Sequence, residues 1–119
     1  MYAKRFQELI CWQLARELRR TVFKLTKTPK LSRDFDLCDQ LRRATRSATG
    51  NIAEGFPCPT KIERARFLAI AIRSISETED RLIEAVDNEY ISEPEAARAF
   101  NLVKRAAVAT KTIPSVTTT

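Results

Sequence analysis

Histidine is absent from this chain and glycine nearly so: of 119 residues, none is His and two are Gly. Without imidazole, the side chain most used as a general base and as a nitrogen ligand for metals is gone. Gly50 and Gly55 alone leave too few positions for the tight turns of a β-rich fold. Cysteine is sparse and odd in number. Cys11, Cys38 and Cys58 lie far apart and form no CxxC pair. Three scattered thiols without histidine do not make a zinc site, and free thiols suit a reducing compartment. Long apolar runs are missing too; none approaches the ~20 residues needed to cross a bilayer. Near the start, Gln13 interrupts LICWQLA, and Arg16, Glu17, Arg19 and Arg20 follow closely, so no secretory leader is expected. There is no Gly-rich phosphate loop and no GxSxG elbow, and Asp39 and Glu54 stand as single carboxylates. The expectation is a cytoplasmic protein that is not an enzyme, with no cofactor, no metal and no membrane partner.

What is present is helix-forming sequence and positive charge. Hydrophobic residues make up 44% and charged residues 30%, an ordinary balance for a soluble helical protein. A chain of this length makes one domain, expected over 1–113, with a disordered tail at 114–119. The formal charge is +6. Residues 1–56 hold 12 Lys/Arg against 6 Asp/Glu, whereas residues 57–119 hold 9 of each. A basic field confined to one half points to a polyanion such as nucleic acid, or simply to a protein of high isoelectric point.

Periodicity predicts four helices joined by short connections. The first spans 6–27, with Cys11, Leu14, Leu18, Val22 and Leu25 in one arc; Thr28-Pro29 ends it. The second runs from Asp34 or Asp36 to Gly55, with Leu37, Leu41, Ala44, Ala48 and Ile52 inward. Gly55 suits a left-handed C-cap, and Gly50 suggests a bend or a close helix approach. The capping box Thr60-Lys61-Ile62-Glu63 opens a helix over 60–88, whose stripe is Ala65, Leu68, Ile72, Ile75, Leu82 and Val86. A second box, Ser92-Glu93-Pro94-Glu95, opens the last helix, which runs to about Lys111 with Pro114 as its stop. Its stripe is Ala96, Phe100, Val103, Ala107 and Thr110. Long helices with short links predict an all-α, up-down-up-down four-helix bundle.

Some residues exceed what a monomeric bundle needs. Leu9, Trp12, Arg16, Arg19 and Phe23 form a second stripe on the first helix. It reads as an oligomer interface, as a stacking surface for bases, or as a wider core. On the third helix, Phe67, Ile70, Ala71 and Ser74 widen the apolar arc. Surplus apolar surface on two helices points to self-association, with Leu9, Trp12, Phe23, Phe67, Ile70 and Ser74 as candidate contacts. Glu79 falls inside the third helix's stripe, so it needs a partner, for which Arg43 is the candidate; otherwise it snorkels to water. Glu77 can take an arginine of a neighbouring subunit. Arg42, Arg43 and Arg46 lie opposite the second helix's core face and, with Arg16, Arg19, Arg20 and Lys24, form a candidate phosphate surface. Asp39 stands four residues before Arg43, the favourable order for a solvated ion pair.

These residues, taken as an ordered set, resemble the bacterial four-helix bundle family named for the 23S rRNA intervening-sequence protein. Phe6, Leu9, Trp12 and Gln13 match its opening, and Pro29 its proline loop. Leu37, Gln40, Leu41, Arg42, Arg43, Ala44 and Ser47 follow, then Asn51-Ile52-Ala53-Glu54-Gly55. Glu63, Arg66-Phe67-Leu68, Ala71, Ser74, Glu77, Glu79 and Tyr90-Ile91 complete the match. Ala48-Thr49 stands where the family often has Ile-Pro, and Arg73 and Thr78 also depart from it. The resemblance implies a cytosolic bundle assembling as a ring-shaped homopentamer. More distant relatives are accessory variability determinants of diversity-generating retroelements, which bind RNA and a reverse transcriptase. A nucleic-acid-binding role is therefore expected, RNA before DNA. The alternative is a protein–protein scaffold whose arginines serve the subunit interface.

Overall fold

The computed structural model describes residues 3–117, with side chains described for 3–112. Four helices account for most of it: α1 (Ile10–Leu25), α2 (Phe35–Gly55), α3 (Lys61–Asp87) and α4 (Glu93–Thr117), with 3-10 turns at Phe6–Glu8 and Leu31–Arg33. No strand occurs among the described residues. Each helix packs on the next and α4 closes back on α1, giving an up-down-up-down four-helix bundle of 46 × 22 × 19 Å.

The helix starts are fixed by side chains. Asp34 caps α2 by accepting from the Leu37 amide at 3.0 Å. Thr60 does the same for α3 through the Glu63 amide at 3.1 Å. At α4 the box is reciprocal: the Ser92 amide donates to Glu95 and the Glu95 amide donates to the Ser92 hydroxyl. The first helix begins later than its periodicity suggests. Leu9 is extended, with ψ of 130°, so the chain breaks there and turns the leucine inward. Phe6 folds back onto Trp12 edge to face, with ring centroids 5.3 Å apart. At the other end of the chain, helical backbone continues past Pro114 to Thr117, where the sequence suggested a stop near Lys111. A proline that near a terminus removes only one interior hydrogen bond before the helix ends. Residues 118–119 of the expected tail lie outside the described residues.

Leu18, Leu25, Leu37 and Leu41 are in the core as expected, and Leu14 is half-buried at its edge. On α3 and α4, Leu68, Ile75, Leu82, Ala96, Val103 and Thr110 are buried as expected, but the rest of the expected arc is shifted. Ala65 is exposed, and Ile72, Val86, Phe100 and Ala107 are half-buried. Buried instead are Ala71, Ser74, Thr78 and Ala85 on α3, and Ala99, Leu102 and Ala106 on α4. Close helix seams need small residues, and the larger side chains then flank the seam. This rotation moves Glu79 out of the core: it is exposed, and Thr78 takes the inward position. Every buried hydroxyl answers a local carbonyl. Thr26, Thr45, Thr49, Ser74, Thr78 and Thr110 each donate to a backbone oxygen three or four residues earlier, so none is buried without a partner.

Both glycines differ from expectation. No glycine has positive φ, so Gly55 is not a left-handed cap. It is needed because a Cβ there would stand 2.8 Å from Phe67 Cβ, where the ends of α2 and α3 meet. Gly50 is exposed, and a Cβ there would meet nothing within 4 Å, so the expected close helix approach is not found among the described residues. The left-handed residue is Glu89, with φ of 59°. It closes α3 as a Schellman turn, with Tyr90 N donating to Ala85 O and Glu89 N to Val86 O.

Candidate nucleic-acid interface

The α1–α2 pair sorts the arginines by angle. On α2, Cys38, Thr45 and Thr49 are buried toward one edge of the core face, and Arg42 and Arg46 sit just outside that edge. Arg43 is turned about 100° further round the helix from Arg42 and points away. On α1, Arg19, Arg20 and Phe23 line the same boundary. A cleft of ≈ 210 Å³ results, lined by Arg19, Arg20, Phe23, Arg42, Thr45 and Arg46.

Its walls are held in place. Arg19 Nη1 donates to Thr49 Oγ1 at 2.9 Å, crossing from α1 to α2. Arg42 Nη2 donates to Thr26 Oγ1 at 3.4 Å, and its guanidinium lies 5.8 Å from the centroid of the Phe23 ring. Lys27 Nζ lies over the same ring at 4.3 Å. Arg42 Nε is shielded from solvent without a hydrogen-bond partner, which half-buries the guanidinium while leaving its charge uncompensated. Among the described residues, Arg19, Arg42 and Arg46 have no carboxylate partner. Arg20 has one, Glu17 at 3.7 Å, but both are well exposed and Glu17 is shared with Arg98. An exposed pair of that length is worth little.

Arg19, Arg20, Arg42 and Arg46 thus converge, and the other two arginines of the expected surface do not. Arg43 bridges Asp39 at 3.0 Å on an exposed face. Arg16 lies over Trp12 at 5.6 Å, in a separate cluster with Phe6. The ion pair expected between Arg43 and Glu79 does not form, because Glu79 faces solvent; Glu77 is likewise exposed. Of the six candidate interface residues, two are consumed within the chain. Leu9 is buried, and Ser74 is buried with its hydroxyl 2.7 Å from Ser47 Oγ, from which it can accept while it donates to the Ile70 carbonyl. Trp12, Phe67 and Ile70 are half-buried, and Phe23 is exposed in the cleft wall. Sequence reasoning missed Thr45 and Lys27. Thr45 sits beside Arg46 and three residues after Arg42, a spacing that marks a shared face once the core edge is known.

A larger concavity of ≈ 730 Å³ lies at the end of the bundle, lined by Lys30, Arg33, Asp34, Phe35, Asp36, Asn88, Glu89 and Tyr90. Its charges are mixed, and Asp34 already accepts from the Tyr90 hydroxyl at 3.0 Å. A polyanion is better served by the smaller arginine cleft. Both core thiols are inert by burial. Desolvation raises Cys11 to about 11, and it raises Cys38 as well, against a smaller opposing effect of the Arg42 charge.

The family model of the 23S rRNA-intervening sequence protein matches residues 7–112, which covers all four helices almost completely. The chain belongs to this family. No curated protein matches it at a significant level. Membership in the 23S rRNA-intervening sequence protein family fits the all-helical architecture, and the matched span includes the whole arginine cleft. No helix among the described residues is long and apolar enough to cross a membrane.

Proposed function

We propose that this protein is a non-enzymatic, cytoplasmic, homopentameric helical bundle that binds nucleic acid, RNA in preference to DNA, through the arginine cleft between α1 and α2. One observation carries the reading: Arg19, Arg42 and Arg46 converge on an open cleft without a carboxylate to neutralise them. Cations that serve a structural role are ordinarily paired, as Arg43 is with Asp39. Guanidinium forks left unpaired at a groove match phosphate oxygens. The family name is consistent with an RNA association.

The test is fluorescence anisotropy with a labelled RNA over a salt series. If all four cleft arginines contact phosphate on a single strand, log K should fall with log salt with a slope of about −3. Replacing Arg20 and Arg46, both exposed, by glutamate should weaken binding at least tenfold and flatten the slope. Undetectable binding at low salt, or binding indifferent to the double reversal, would refute the proposal.

A second reading has its own observation. Ile10, Ile62 and Val108 are 63%, 70% and 60% exposed. These apolar side chains on three helices favour a protein–protein scaffold, in which a neighbouring copy supplies the carboxylates for the arginines.

A further inference from the structure

Phe23 is the member of the cleft that phosphate binding does not explain. Its ring is 45% exposed, in a wall otherwise made of Arg19, Arg20, Arg42, Thr45 and Arg46. A phosphate backbone alone gains nothing from an aromatic face. A base does: every nucleobase has a π-face, and grooves that combine positive charge with an exposed aromatic are how single strands are held without sequence readout. Two cations already lie against the ring, and they differ in kind. Arg42 is tethered to Thr26 and half-buried, whereas Lys27 is exposed and its ammonium makes no hydrogen bond or ion pair among the described residues. An exposed lysine over a ring is easily displaced, and once displaced its ammonium stands one helical turn from Phe23, free to meet a phosphate.

We infer that the cleft is a single-strand site. One unstacked base lies against Phe23 in place of the Lys27 ammonium, while Arg20 and Arg46 hold the flanking phosphates and Arg42, tethered to Thr26, stays beside the ring. This rests on the nucleic-acid reading above and narrows it to the unpaired form. A duplex cannot use the site, because its bases are stacked inside the helix and its backbone presents only phosphate and sugar to a cleft between two helices.

The experiment compares a labelled uridine 12-mer with a perfectly paired RNA duplex of the same length at one low salt concentration, using the full chain and its Phe23→Ala and Phe23→Trp variants. Phe23 is outside the core, so both variants should fold; circular dichroism checks this. The 12-mer should bind more tightly than the duplex. Phe23→Ala should weaken 12-mer binding about tenfold, the order of one base–aromatic stack, and leave the duplex unchanged. Phe23→Trp should retain or strengthen 12-mer binding. Unchanged 12-mer affinity in Phe23→Ala, or an equal loss for both ligands, overturns the single-strand site and leaves the nucleic-acid reading intact. If neither ligand binds the wild-type chain, both fall together.

Discussion

At the scale of single residues, the two glycines have opposite roles and opposite predicted responses. Gly50 lies inside α2 on an exposed face, and an added Cβ meets nothing within 4 Å. Gly50→Ala should therefore stabilise the monomer by about 0.5–1 kcal/mol, the usual helix-interior difference. Gly55→Ala forces a Cβ to 2.8 Å from Phe67 Cβ, an atom too near the backbone to swing aside. That change should destabilise by about 1–3 kcal/mol, as overpacking does. Urea denaturation of both variants checks the pair, and two shifts of the same sign would overturn these opposite roles. The sequence marks both glycines as unusual but not the reason for either, because the clash at Gly55 belongs to Phe67, twelve positions along the chain.

At the scale of elements, the turn from α3 to α4 is tied to the start of α2. The Tyr90 hydroxyl donates to the same Asp34 carboxylate that caps α2. Hydrogen bonding to Asp34 is the main reason the Tyr90 phenol is raised above its ordinary value of 10. The bond needs the neutral phenol. Its stabilisation is therefore complete below the unfolded-state pKa and is lost as pH rises through the higher folded-state value. Wild type and Tyr90→Phe should differ in melting temperature at neutral pH and converge at strongly alkaline pH; curves that stay parallel throughout would refute the linkage. Helix caps of this kind were readable in advance at Thr60 and Ser92, since they depend on neighbours within one turn, whereas the start of α2 was open between Asp34 and Asp36 and is settled by the Asp34 cap. The rotation of α3 and α4 was not readable in advance. Periodicity weights large side chains such as Ile72 and Phe100, whereas the seams are built on Ala71, Ser74, Thr78, Ala99 and Ala106.

At the scale of the whole molecule, charge and apolar exposure make joint demands. One chain carries +6 and exposes apolar side chains such as Ile10, Ile62 and Val108; the proposed pentamer would multiply that field and would have to cover apolar surface of this kind. Ring closure requires two different surfaces of each subunit to meet, and these three residues lie on three different helices. Light scattering at micromolar concentration should give a mass five times that of one chain, and charged substitutions at Ile10 or Ile62 should lower it. A monomer under those conditions refutes the ring. Neither Leu9 nor Ser74 belongs in such a test, because both are buried inside the subunit.

Sequence by itself determined the elements: four helices, the caps that open α3 and α4, the family and a basic first half. Each of these follows from interactions within a turn or two, or from composition, and needs no knowledge of what packs on what. Tertiary structure alone decided which arginines line one cleft. Arg42, Arg43 and Arg46 are near neighbours in sequence, yet Arg42 and Arg46 face α1 and Arg43 turns back to Asp39. The deciding quantity is the angle between α2's core edge and α1, which is set by the burial of Cys38, Thr45 and Thr49 against the neighbouring helix. The same angle brings Phe23, with its near neighbours Arg19 and Arg20, against Arg42 and Arg46, which lie about twenty positions further along the chain.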